Sequence, residues 1–129
     1  MIKSTVHPRI DDMGPTGHVH NTVLPVWFQE ARQPLLEHFI SDPTHAEFPL
    51  MIKEYTVTFH RELVLVPAVQ VEITVERIGN SSFVLHELAR QNGQLAAESR
   101  VVYIYVGSDN RPANIPERLK SYLKKHLRA

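Results

Sequence analysis

From Thr22 onward apolar residues recur at steps of three and four: Leu24, Trp27, Phe28, Ala31, Leu35 and Phe39. That spacing lays them along one stripe of a helix. Asn21 or Thr22 can cap its start, and Pro25 is tolerated in a first turn. Pro34 falls inside the pattern, where the missing N–H removes a hydrogen bond and bends the axis. The pattern predicts a long helix, bent near Pro34 and ending before Ser41-Asp42-Pro43.

Past Pro49 the period drops to two. Tyr55, Val57 and Phe59 alternate with Thr56, Thr58 and His60, and Val69, Val71, Ile73 and Val75 alternate with Gln70, Glu72, Thr74 and Glu76. Such alternation marks strands with one buried face. Gly79-Asn80 predicts a turn before a strand from Phe83 to Gln91. Asn92-Gly93 predicts a two-residue hairpin into a strand from Gln94 to about Val106. That last strand is apolar on both faces near its end, which suits a helix on one side and a partner subunit on the other.

Upstream of the helix, Ser4 to Ile10 reads as a short strand with Pro8 near an edge. Asp11 to Gly17 reads as loop, because Gly14-Pro15 and Gly17 break regular structure. Asn114-Ile115-Pro116-Glu117 leads into a short helix carrying Leu119, Tyr122, Leu123 and Leu127. The order is strand, long helix, four antiparallel strands, short helix. It predicts a two-layer α+β fold with a sheet of about five strands. The helix is apolar around much of its girth, so the sheet is expected to wrap it.

Composition narrows the partners. The chain has 129 residues, enough for one domain over 1–129 with a single core. It carries 14 basic and 14 acidic residues, so its formal net charge is zero and nothing in the balance favours nucleic acid. The basic run from Lys120 to Arg128 lies on a helical pattern and reads as a solvated face. There is no cysteine, which excludes a disulfide scaffold, a cysteine nucleophile and a cysteine-ligated zinc. No apolar run nears the roughly 18 residues a membrane span needs, and the first dozen residues lack a signal-peptide core. A cytoplasmic setting is the expectation.

The densest chemistry lies from Arg9 to Arg32, RIDDMGPTGHVHNTVLPVWFQEAR. This segment resembles the 4-hydroxybenzoyl-CoA thioesterase family of hot-dog acyl-CoA thioesterases. That family shows Arg, then Asp-x-Asp, then Gly-His-Val-Asn-Asn, then a helix reading Phe-Glu-x-Ala-Arg. Arg9, Asp12, Gly17, His18, Val19, Asn21, Phe28, Glu30, Ala31 and Arg32 stand in register with it. The likeness continues through FHRELVLVPAVQVEITVERIGNSSFVLHELARQNGQLAAESRVVYIYV and into NIPERL, so it covers nearly the whole chain. It departs at Gly14, where the second Asp, the family's nucleophile or general base, would stand. It departs again at His20, in place of the first Asn. The resemblance implies a hot-dog fold, no cofactor, and hydrolysis of an acyl-CoA or acyl-carrier-protein thioester. It also implies a homodimer or homotetramer with active sites at subunit interfaces.

Thioester hydrolysis needs a hold on the developing oxyanion and an activated water or carboxylate. A helix N-terminus supplies the first, and the resemblance assigns the polarising N–H to Asn21. Gly17, His18 and Val19 would line the site, with His18 orienting the loop. For the base, Asp12 can act through water, or it can instead fix the loop by accepting backbone N–H groups. Glu30 is a second candidate, its pKa raised if partly buried. Alternatively it forms a buried ion pair with an arginine of the sheet. His20, with an ordinary pKa of ~6.5, suits general acid or base work. Arg61 and Arg90 are candidates for CoA phosphates. The His18-x-His20 pair lacks a third ligand at metal spacing, so no metal is expected. The missing Asp also makes an acyl-thioester binder without catalysis a real alternative. A hot-dog dehydratase is disfavoured, because the Gly-His-Val-x-Asn and Glu-Ala-Arg segments follow the thioesterase pattern.

Overall fold

The structure is a computed structural model that describes residues 1–41 and 47–129. In chain order the elements are β1 (Ile2–Val6), α1 (Val23–Leu36), β2 (Leu50–Phe59), β3 (Val69–Ile78), β4 (Ser82–Gln91), β5 (Gln94–Tyr105) and α2 (Glu117–Lys124). All strand pairs are antiparallel, and the sheet runs β1-β3-β4-β5-β2. The helix of the predicted stripe lies against one face. Its Leu24, Trp27, Phe28, Ala31 and Leu35 are buried with the inward residues of β3 to β5, among them Ile73, Phe83, Leu85 and Val101. This is the hot-dog arrangement that the resemblance implies.

Alternation placed the central strands well because one face of each meets the helix. Val69, Val71, Ile73 and Val75 are buried to 1% exposure or less. Asn92 and Gly93 take φ of 56° and 76° between the paired Gln91 and Gln94. Two successive positive φ values define the tight hairpin turn whose twist matches the strands.

Two expectations shift. β1 covers Ile2–Val6 rather than Ser4 to Ile10, and it does lie at a sheet edge. Pro8 follows it, and Ile10–Asp12 form a 3₁₀ turn closed by Asp12 accepting the Arg9 N–H at 2.8 Å. Second, α1 carries Pro34 in its last turn and tightens after Leu36 into a 3₁₀ turn, Glu37–Phe39, which still delivers Phe39 to the core beside Phe83. The Asp42-Pro43 stop and the start of the following loop lie outside the described residues. The sheet packs around α1 as expected, and Val26, Gln29, Glu30 and Gln33, on the side of the helix away from the core, are exposed in the single chain.

After α2 the chain returns to the sheet. Val75 donates its N–H to the His126 carbonyl (2.8 Å) and accepts from Arg128 N–H (2.7 Å), so the C-terminal residues continue the edge of β3 where β1 stops pairing. Among the described residues no helix is long and apolar enough to cross a membrane.

Candidate active site

The loop between β1 and α1 is held at both ends. Arg9 grips Asp12 through its backbone N–H (2.8 Å) and its guanidinium (Nη2 to Oδ1, 2.9 Å). These hydrogen bonds hold the Asp12 carboxyl below the usual carboxylate range, against the opposing effect of burial. Asp12 returns a carbonyl to His20 N–H at 2.8 Å. Between them, Gly14 donates to the His18 carbonyl (2.8 Å) and Gly17 to the Gly14 carbonyl (3.1 Å), with Gly17 at φ 84°. Val19 N–H then bonds the Leu63 carbonyl at 2.7 Å, tying the loop to the segment after β2.

Just before α1 a histidine ring braces the N-cap residue Thr22, and α1 has no side-chain cap of its own. His20 Nδ1 lies 2.7 Å from the Thr22 hydroxyl and 3.4 Å from the Thr22 N–H. An N–H can only donate, so Nδ1 accepts, and in the neutral ring Nε2 carries the proton. Among the described residues nothing accepts the Asn21 N–H. It is an open donor at the positive end of a helix dipole.

Asn21 lines a cleft of about 540 Å³. Its apolar wall is Pro15, Val19, Leu24, Phe59, Leu63 and Ala97. His18, His20, Asn21, His60, Arg61 and Glu62 supply the polar side. His18 bridges the two: its Nδ1 faces the Thr16 hydroxyl at 3.3 Å and its Nε2 faces Glu62 Oε2 at 2.8 Å. A cleft of this size, apolar on one side and polar on the other, suits a small molecule with both kinds of surface.

Residues 8–123 match the family model described as the thioesterase-like superfamily. The chain belongs to that superfamily. Solved structures agree. One is described as a predicted thioesterase from Bacillus stearothermophilus; it is 30% identical, covers 98% of this chain and 96% of its own, and has a TM-score of 0.91. A thioesterase from Thermus thermophilus, solved with coenzyme A and Zn, is 26% identical over 95% and 97% of the two chains, at TM-score 0.84. An Aquifex aeolicus protein at 14% identity, covering 95% and 99%, shares the fold at TM-score 0.78. No curated protein matches the chain.

Within this thioesterase-like chain the sequence candidates separate. His18, Val19, His20, Asn21 and Arg61 all line the cleft, while Gly17 shapes the loop but is not part of the lining among the described residues. Asp12, Glu30 and Arg90 are not part of that lining among the described residues. Asp12 is 3% exposed and engaged with Arg9, the loop-fixing alternative. Glu30 is exposed, not partly buried, because it falls on the side of α1 that the sheet leaves uncovered. Arg90 alternates with the buried Ala89 and Gln91, which places it on the outer face of the sheet. Among the described residues no group of three or more His, Asp or Glu side chains is placed to hold a metal ion.

The buried ion pair exists, with its partners reversed. The helix supplies Arg32 and the sheet supplies Glu87, at 1% and 0% exposure. Two guanidinium nitrogens reach the carboxylate at 2.9 and 3.0 Å. Arg32 also donates to the hydroxyls of Tyr103 (3.0 Å) and Tyr55 (3.2 Å), and Ser99 donates to Glu87. Burial disfavours the Arg32 charge, but the Glu87 carboxylate outweighs it and keeps the guanidinium protonated. Glu87 was legible as a glutamate at an inward strand position between Leu85 and Ala89.

Sequence reasoning missed Glu62 entirely. The three consecutive polar residues His60, Arg61 and Glu62 break the alternation of β2, and nothing in that pattern pairs Glu62 with His18.

Proposed function

We propose that this chain hydrolyses acyl-CoA thioesters in the cleft at the start of α1. It does so as a cytoplasmic homodimer or homotetramer of the 4-hydroxybenzoyl-CoA thioesterase type. The observation that carries this reading is Asn21 at the helix start, its N–H without a partner among the described residues, in the lining of an apolar-walled cleft. A thioester carbonyl placed there accepts that N–H, and the helix dipole favours the oxyanion formed on attack. His20, with Nδ1 committed to Thr22, presents Nε2–H toward the same end of the helix. The acyl group packs on Leu24, Phe59 and Leu63, and Arg61 at the cleft meets the CoA phosphates. The coenzyme A bound by the Thermus thermophilus relative supports CoA as the thiol carrier.

Thiol release from short, long and aromatic acyl-CoAs tests the reading. Turnover well above the spontaneous rate is expected with at least one class. Binding of acyl-CoA without turnover of any of them would establish the binder instead, the outcome that the glycine at position 14 invites.

A further inference from the structure

A hydrolase of this kind needs a group to take a proton from the attacking water. Gly14 offers none, and the Asp12 carboxylate is occupied by Arg9. Among the described residues the cleft lining contains one carboxylate, Glu62. It comes from the segment that follows β2, and the loop from β1 is pinned to that segment through Val19 and Leu63.

We propose that Glu62 is the water-activating base of this cleft and that His18 is the residue that positions it. This rests on the thioesterase reading above and names the base that reading leaves open. A carboxylate only accepts, so the 2.8 Å contact places the proton on His18 Nε2. In the neutral ring Nδ1 then accepts from the Thr16 hydroxyl, 3.3 Å away. Thr16 donates to His18 and His18 donates to Glu62, an orienting chain that holds one oxygen of a side chain 71% exposed. Oε2 is held, and Oε1 is the acceptor for the water proton.

The step balances. As water oxygen bonds to the thioester carbon, one water proton passes to Glu62 Oε1, and the carbonyl electrons move onto the oxygen that accepts the Asn21 N–H. The carbonyl re-forms, the C–S bond breaks, and the departing thiolate takes the proton from Glu62. Carboxylic acid and thiol leave, and the carboxylate is restored.

The test uses the full chain and an acyl-CoA that the wild type turns over. Glu62→Gln is expected to lower kcat at least 100-fold with KM within about threefold, in line with the usual contribution of general-base catalysis. Glu62→Asp should recover part of it. His18→Ala should lower kcat about tenfold or more, and His18→Gln, whose amide can donate where Nε2–H does, should restore part of that loss. Circular dichroism checks that each variant is folded; Glu62→Ala serves as a second removal of the carboxylate. If Glu62→Gln and Glu62→Ala both stay within threefold of an active wild type, the assignment is overturned while the thioesterase reading stands. A covalent acyl adduct on Thr16 by intact mass would also overturn it. A wild type inert toward every acyl-CoA sinks the thioesterase reading itself.

Discussion

At the scale of single residues, two glycines in one loop do different work. Gly17 holds φ 84°, a region costly to any side chain, whereas Gly14 is not left-handed and an added Cβ there would meet only the His18 carbonyl at 3.6 Å. Gly17→Ala should therefore cost about 1–2 kcal/mol of stability. Gly14→Ala should move it by no more than about 0.5 kcal/mol, as read by urea denaturation. The carboxylate is absent from position 14 for no steric reason. Gly14→Asp placed on a Glu62→Gln background should accordingly regain activity in the thiol-release assay. Asp12 makes a separate prediction. Its carboxyl pKa is lowered in the fold by Arg9, so its contribution is present above the unfolded value of about 3.9 and is lost as pH falls through the folded value. Asp12→Asn should cost on the order of 1 kcal/mol near neutrality, and that difference from wild type should shrink as the pH falls through the folded carboxyl value. A penalty unchanged by acid would contradict the Arg9 pairing. In the sequence Asp12 stood as base or loop anchor with equal claim; its pairing with Arg9, three residues upstream, supports the anchor.

At the scale of elements, the period of the apolar pattern was enough to place the helix and the central strands. Each has one face against the core, so burial imposes its spacing on the sequence. β1 was misplaced because Ile2 and Val6 are only half-buried at an edge, where the pattern is weakly constrained. The polar link between elements was the least legible. Arg32 and Glu87 are 55 residues apart, and together they bolt α1 to β4 inside the core. Arg32→Met should destabilise by about 3–5 kcal/mol, because it strands a buried carboxylate. Burial already raises the Glu87 carboxyl above its ordinary value. The Arg32→Met penalty should thus shrink as pH falls and Glu87 takes up a proton. The double variant Arg32→Met/Glu87→Leu should recover most of the loss in thermal melts. If the double is as unstable as the single, the hydroxyls of Tyr55, Tyr103 and Ser99 are what the pair serves, and the charges are incidental.

At the scale of the molecule, one sheet edge stands open. β2 is the last strand of the sheet among the described residues, ten residues long, with Met51 (54% exposed), Ile52 (47%) and Phe59 (49%) in the open. A long apolar edge presents unpaired backbone groups and is either paired in an assembly or prone to aggregate. Phe59 belongs both to that edge and to the cleft wall, so a second chain over β2 would sit beside the proposed active site. Light scattering at micromolar concentration should therefore report a dimer or tetramer. Ile52→Lys places like charges on the facing edges of a two-fold pair and should shift the population to monomer with its circular dichroism unchanged. Ile52 does not line the cleft among the described residues, so its substitution removes no contact to substrate in a single chain. A parallel loss of activity in the monomeric variant would mean that the cleft needs the partner to complete it. Full activity in a monomer would place the whole reaction within one chain, and the open β2 edge would then serve assembly alone.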